Sequence, residues 1–458
     1  YEIYQCDWSS DVCSSDLVNS WSLGKTNFWD YAKPLFGATL PPGVGLAGYA
    51  TANPQPQALA FDATNALYQA TGIPITPWDD TLAHNTYPMV RVVARDAASG
   101  AELASGHVVL PVSDEMTCVA CHASGSSAAA KPTHGWVNDP RGPEKDYRRN
   151  ILALHDDRQA GSPKFKRALT ALGYLPQGLL ATSDGGRPIL CAACHASNAL
   201  PGTGQSGISA LTSATHTLHA KVTDPATGQL LGDESNRSAC YMCHPGSQTK
   251  CLRGVMGNAK DANGNPSIEC QSCHSTMTKV GSPRRTGWLQ QPTCQACHHD
   301  SQRDLTAVDS RGNVKKPTDT RFATNPNVPS SGFNLYRFSK GHGGLQCEAC
   351  HGSTHAEYTS AYAGDNVLSS EVQGHVGTIS ECSACHASPP NTATGGPHGL
   401  HTFGSAWVGR HGDVAEGNRQ ACAYCHGADF RGSPLSTTKQ ARSFTVRSEE
   451  HTSELQSH

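Results

Sequence analysis

The chain has 458 residues, 35 Lys and Arg against 38 Asp and Glu, and only 37% hydrophobic residues. A near-neutral balance with no basic stripe excludes a nucleic-acid surface, and no apolar run approaches the roughly 18 residues a membrane-crossing helix needs. Ordinary domains carry about 45–50% apolar residues on a slightly wider residue set, so a chain with 45 Gly and 28 Pro is short of material for its own core.

The two ends read as foreign. The tail RSEEHTSELQSH (447–458) can be encoded by a common short-read sequencing adapter, and the opposite strand of that adapter, in one frame, reads CDWSSDVCSSDL (6–17). Residues 1–17 and 447–458 are therefore expected to be translated adapter and are set apart from fold reasoning. The remainder reads as a fragment open at both ends, with 34 basic and 31 acidic residues, about +3.

Residues 18–117 form a truncated segment without the cysteine motif described below. Its early part, with LPPGVG and NPQPQ, is loop-like. TYPMVRVVARD, AASG and ELASGHVVLPV then predict a β-hairpin, two β-rich runs around a Gly-containing turn. Beyond 118, apolar spacing predicts short helices at DYRRNILALHDD, KFKRALTALGY and SALTSATHTLHAKV. Elsewhere Gly, Pro, Ser, Thr and Asn dominate.

Eight CxxCH motifs punctuate this second part, using 16 of the 19 cysteines. They comprise Cys118, Cys121 and His122; Cys191, Cys194 and His195; Cys240, Cys243 and His244; Cys270, Cys273 and His274. The others are Cys294, Cys297 and His298; Cys347, Cys350 and His351; Cys382, Cys385 and His386; Cys422, Cys425 and His426. Their starts are 73, 49, 30, 24, 53, 35 and 40 residues apart, which gives no repeat period and excludes a solenoid. Two thiols two residues apart with an adjoining imidazole are the attachment pattern of c-type haem. The thiols add to the two vinyl groups of one macrocycle, and the imidazole takes one axial face of its iron. Paired CxxC units can also build tetrahedral zinc sites, and cysteine pairs in exported proteins can form disulfides. Neither alternative explains a histidine after the second cysteine in all eight cases.

On these motifs the chain resembles the multihaem c-type cytochromes over residues 118–426. Stretches such as CYMCHPGSQTKCLRGVMG, CQSCHSTMTKVGSPRRTGW and YRFSKGHGGLQCEACHGSTHAEY resemble, more narrowly, uncharacterised exported multihaem cytochromes of metal-reducing bacteria. The resemblance implies eight haem c (heme c) groups with their iron, held by short α-helices and long irregular loops over 118–446, with a small β-containing N-terminal segment. It also implies a periplasmic or extracellular location, and partners that are other redox proteins or extracellular electron acceptors. Assembly into an oligomer or filament is conceivable on this reading.

A haem iron has two axial positions, and the motif histidine fills one. Thirteen histidines outside the motifs and the terminal segments are candidates for the other: His84, His107, His134, His155, His216, His219, His299, His342, His355, His375, His398, His401 and His411. His299 follows a motif histidine directly, so its ring can reach a neighbouring haem. His342 precedes Cys347 in a Gly-rich stretch, His355 lies four residues after His351, and His216 and His219 share a helix face. His375, His398, His401 and His411 fall between motifs, with His134 and His155 also eligible. His84 and His107 lie in the motif-free segment, where surface or packing roles weigh more. The methionines Met89, Met116, Met242, Met256 and Met277 are a minority choice of ligand, and Cys251 reads as a small buried hydrophobe.

The expected function is electron transfer along eight closely spaced haems, mostly bis-histidine ligated. The alternative is an octahaem reductase or oxidase of nitrogen or sulfur compounds with one open iron. The absence of any CxxCK motif weakens the version of such enzymes that uses lysine.

Overall fold

The computed structural model of the protein describes residues 12–17, 57–63, 66–69, 86–110, 116–196, 203–244, 251–284, 294, 339, 342–390, 396–397, 400–402, 404–417, 419–432, 436, 442–446 and 449–453. Among them, small antiparallel sheets precede a longer region of short helices and turns.

The N-terminal sheet has strand order β2-β1-β3-β4, with β1 at Val12–Leu17, β2 at Gln57–Ala58, β3 at Met89–Arg95 and β4 at Glu102–Val109. The expected hairpin is β3–β4, with Met89 opposite Val109 and Arg95 opposite Glu102. Its turn is held by Asp96, whose carboxylate accepts from the Ser99 amide and hydroxyl, while Gly100 takes the left-handed φ of 71° that closes it. Alternation sends Val90 and Val108 inward, where they pack on Leu368. One finding departs from the sequence reading: Gln57, at the end of the loop-like NPQPQ, already belongs to a strand. Val12–Leu17, set apart in the sequence reading, pairs along β3. The LPPGVG stretch lies outside the described residues.

All three expected helices are present: α1 (Pro143–Gln159), α2 (Pro163–Ala171) and, further on, α3 (Leu211–His219). Proline opens α1 and α2 at the first turn, where its missing N–H costs nothing. The Ser162 hydroxyl caps α2 by accepting from the Phe165 amide. Leu169, Tyr174 and Leu179 form one small buried cluster under α2. A second gathers Ala220, Leu231, Ala239 and Met277.

α1 also buries polar groups toward the first motif. Its Asn150 side chain is fully enclosed and donates to the His122 carbonyl at 3.0 Å, and Asp146 accepts from the Ser124 amide and hydroxyl, each at 2.7 Å. A helix expected from its apolar spacing thus does its main work through a polar face. The two parts of the chain meet at α4 (Val367–Gln373). There the Glu371 carboxylate accepts from the His107 backbone amide and lies 2.8 Å from its Nδ1, and Gly106 leaves room for Leu368. No helix among the described residues is long and apolar enough to cross a membrane.

Candidate functional site

Six of the CxxCH motifs fold as single helical turns. Turns occupy Val119–His122, Cys191–Cys194, Ala239–Met242, Cys270–His274, Cys347–His351 and Cys382–Ala384, and a longer helix, Arg419–His426, carries the last motif. In several motifs the histidine amide closes the turn on the carbonyl of the first cysteine, at 2.9 Å for His122, His195 and His244 and 2.8 Å for His386. Positions i, i+3 and i+4 share one face of such a turn. Cys294 is described, whereas Cys297 and His298 lie outside the described residues, as does the Cys425 side chain. Among the described residues, Cys118, Cys121, Cys191, Cys194, Cys240, Cys243, Cys270, Cys347, Cys350, Cys382 and Cys385 form no disulfide.

Each motif histidine that has a ring contact to another histidine faces one from outside the motifs. The pairs are His122 with His219 and His195 with His155, both at 6.4 Å between ring centres. His244 faces His216 at 6.4 Å, and His274 faces His355 at 6.0 Å. His386 faces His342 at 6.1 Å, and His426 faces His401 at 6.3 Å. Six pairs within 0.4 Å of one another are not what generic ring packing produces, since packed aromatic rings spread over about 4.5–7 Å. An imidazole nitrogen sits about 2 Å from a metal it ligates and roughly 1 Å from its own ring centre, so two axial imidazoles put their centres about 6 Å apart. The ring planes share only the metal–nitrogen axis, so the observed range from 7° to 86° between planes is compatible with such a pair.

Hydrogen bonds set the tautomers. The Nδ1 atoms of His195, His216, His219 and His401 lie 2.8, 2.7, 2.8 and 2.9 Å from the carbonyls of Ser209, Thr212, Thr215 and Thr402. A carbonyl can only accept, so the proton is on Nδ1 and the lone pair on Nε2, the form a metal ligand needs. Burial, then the facing His219, then Arg158 push His122 down to about 4. His155 is lowered by burial and by His195. Burial also lowers His401 and His426. Each of these shifts favours the neutral ring, the form that ligation requires. The Nδ1 atoms of His122 and His155 are buried and make no hydrogen bond among the described residues. Such orphaned atoms cost about 1–3 kcal/mol each unless another group takes them up.

Other candidates are engaged differently. The His375 Nδ1 lies 3.2 Å from the Val376 carbonyl and its Nε2 3.2 Å from Glu381. His107 is turned to Glu371. His134 is exposed. His411 is exposed on its helix, with Nδ1 2.6 Å from the Val408 carbonyl. His84, His299 and His398 lie outside the described residues. His351 lends its carbonyl to the Tyr358 amide at 2.8 Å. Among the methionines, Met277 is buried in the Leu231 cluster and Met116 is exposed. Cys251, expected as a buried hydrophobe, is half-buried with its Sγ 3.8 Å from His355 Nδ1.

The motifs also neighbour one another. Burial raises the Cys118 thiol and Cys191 beside it raises it further, while burial followed by Cys118 and Cys121 brings Cys243 to about 11. Cys240 and Cys270 share a hydrogen bond that holds the Cys270 thiol below its ordinary value. Ser339 ties two more motifs together: its hydroxyl accepts from the Cys294 amide at 3.4 Å and its carbonyl from the Cys347 amide at 2.8 Å. The Ile379 amide, three residues before Cys382, donates to the Cys350 carbonyl at 2.8 Å. His355 and His342, which flank the 347–351 motif, face His274 and His386 and so connect it to the motifs at 270–274 and 382–386.

No three or more His, Cys, Asp or Glu side chains among the described residues gather around one point as a protein-only metal site would require. Facing imidazole pairs, each beside a CxxCH turn, are residues that could hold a haem c. Searches against protein-family models, curated proteins and solved structures find no match for this chain.

Proposed function

We propose that the protein is an electron-transfer protein carrying covalently attached c-type haems with mainly bis-histidine ligation. The observation that carries this reading is the set of six motif-to-outside histidine pairs at 6.0–6.4 Å. Haem iron supplies reversible one-electron chemistry. The motif thiols would attach the group, and the facing imidazoles would hold its iron from both sides. Filling both positions leaves no place for a substrate, which favours transfer over catalysis. Adjacency of the motifs, through Cys240 with Cys270, Cys294 with Cys347, and Thr117 with Cys243, supports short hops between neighbouring centres. Redox partners and an exported location belong to this proposal.

The test is expression in a host that attaches haem c to exported proteins, followed by intact mass, pyridine-extract colour and magnetic circular dichroism. Eight attached haems with low-spin spectra are expected. A colourless protein with free or zinc-bound thiols would overturn the reading. A high-spin haem that binds added ligands would favour the octahaem enzyme.

A further inference from the structure

One short segment touches three of the proposed haem sites. The Gln205 amide donates to the Cys194 carbonyl at 2.8 Å, the Ser209 carbonyl lies 2.8 Å from His195 Nδ1, and the Leu211 amide donates to the Ala196 carbonyl at 2.9 Å. Helix α3 is thus rooted in the 191–195 motif. Its last turn then presents two rings to two other motifs, His216 to His244 and His219 to His122. Those two motifs are strapped directly, the Thr117 amide donating to the Cys243 carbonyl at 2.6 Å.

We infer that α3 is a double-ligand strut, with His216 on the iron attached through Cys240 and Cys243 and His219 on the iron attached through Cys118 and Cys121. The site at 118–122 therefore neighbours that at 240–244 rather than only its chain neighbour at 191–195, so spatial order departs from chain order. This inference rests on the haem reading above.

Helical geometry explains how one element serves two metals. Residues three apart advance about 4.5 Å along the axis and point about 60° apart around it. The rings thus share a face yet diverge toward different partners. Both have committed Nδ1 to the carbonyl four residues back, in the same tautomer. The helix cannot rotate to bring both rings to one metal, because Ser213 and Thr217 each donate to the Gly281 carbonyl at 2.8 Å. Gly281 lies so close to α3 that a Cβ there would sit 2.6 Å from the Thr217 amide nitrogen.

The strut is tested in the haem-loaded protein by spin state. His216→Ala and His219→Ala are each expected to convert one haem from low to high spin, and the double variant two, with added imidazole restoring low spin. Assignment uses Cys118→Ser with Cys121→Ser, which removes one haem by mass. In that background His216→Ala still yields one high-spin haem and His219→Ala yields none. If that background does not fold, His219→Met and His216→Met in the intact motif set serve instead. Each should raise the potential of one haem, and a different one. A reversed pattern, or variants that leave every haem low-spin, would sink the strut while leaving the haem reading intact. Absence of attached haem by mass would sink both.

Discussion

What separates His355 or His401 from His375 is the fate of the second ring nitrogen. The ring of each of the first two lies about 6 Å from a motif ring, whereas both nitrogens of His375 are spent on Val376 and Glu381. His107 likewise answers to Glu371. We therefore expect His355→Ala and His401→Ala each to convert one haem to high spin, and His375→Ala and His107→Ala to convert none, as read by magnetic circular dichroism. None of this discrimination was legible in the sequence, where His375 and His401 are both histidines in Gly-rich connections between motifs. The CxxCH residues were legible because the pattern is local: two thiols and a ring fall within five consecutive positions.

Elements are held in place by buried charge as much as by apolar packing. Arg253 and Asp365 are each 4% exposed and form a two-point pair at 2.6 and 2.8 Å, with Arg253 stacked 3.7 Å over the Tyr87 ring. The Arg253 and Gly254 amides donate to the His355 carbonyl, so this pair positions the ring that faces His274. Removing one partner of a buried ion pair costs about 3–5 kcal/mol. Arg253→Met is accordingly expected to lower denaturant stability by that order and to loosen the His355 ligand, seen as a high-spin fraction from one haem. Ahead of α1, the buried Asp139 is held far below the ordinary carboxylate range by hydrogen bonds from Arg141 and then Arg149. A depressed folded-state value means the contribution is fully present above the unfolded value of about 3.9 and is lost as pH falls through the folded one. Asp139→Asn should therefore flatten the loss of stability below about pH 4, measured by urea melts across pH. The helices were legible from apolar spacing. The ion pair was not, because its partners lie 112 residues apart in polar stretches.

At the scale of the molecule, the described buried clusters are small: Leu169, Tyr174 and Leu179 in one, Ala220, Leu231, Ala239 and Met277 in another, and Val90 with Val108 in a third. Sets of this size bury too little apolar surface to offset the entropy of ordering so long a chain. The macrocycles, inserted between facing histidines and tethered by thiols, supply the missing interior on the haem reading. A haem-free chain, with the sixteen motif cysteines changed to serine, is therefore expected to show no cooperative thermal transition by circular dichroism. The haem-loaded protein should melt in a single step.

Composition, motif count and local spacing let the sequence alone determine the shortage of core, the eight CxxCH motifs, the β3–β4 hairpin and the three helices, since each depends on residues within a few positions of one another. Only the tertiary structure decided which histidine faces which, and which motifs are neighbours. The facing rings lie 25 to 97 residues apart in the chain. A ligand is selected by where its ring is carried in space, and no local pattern encodes that.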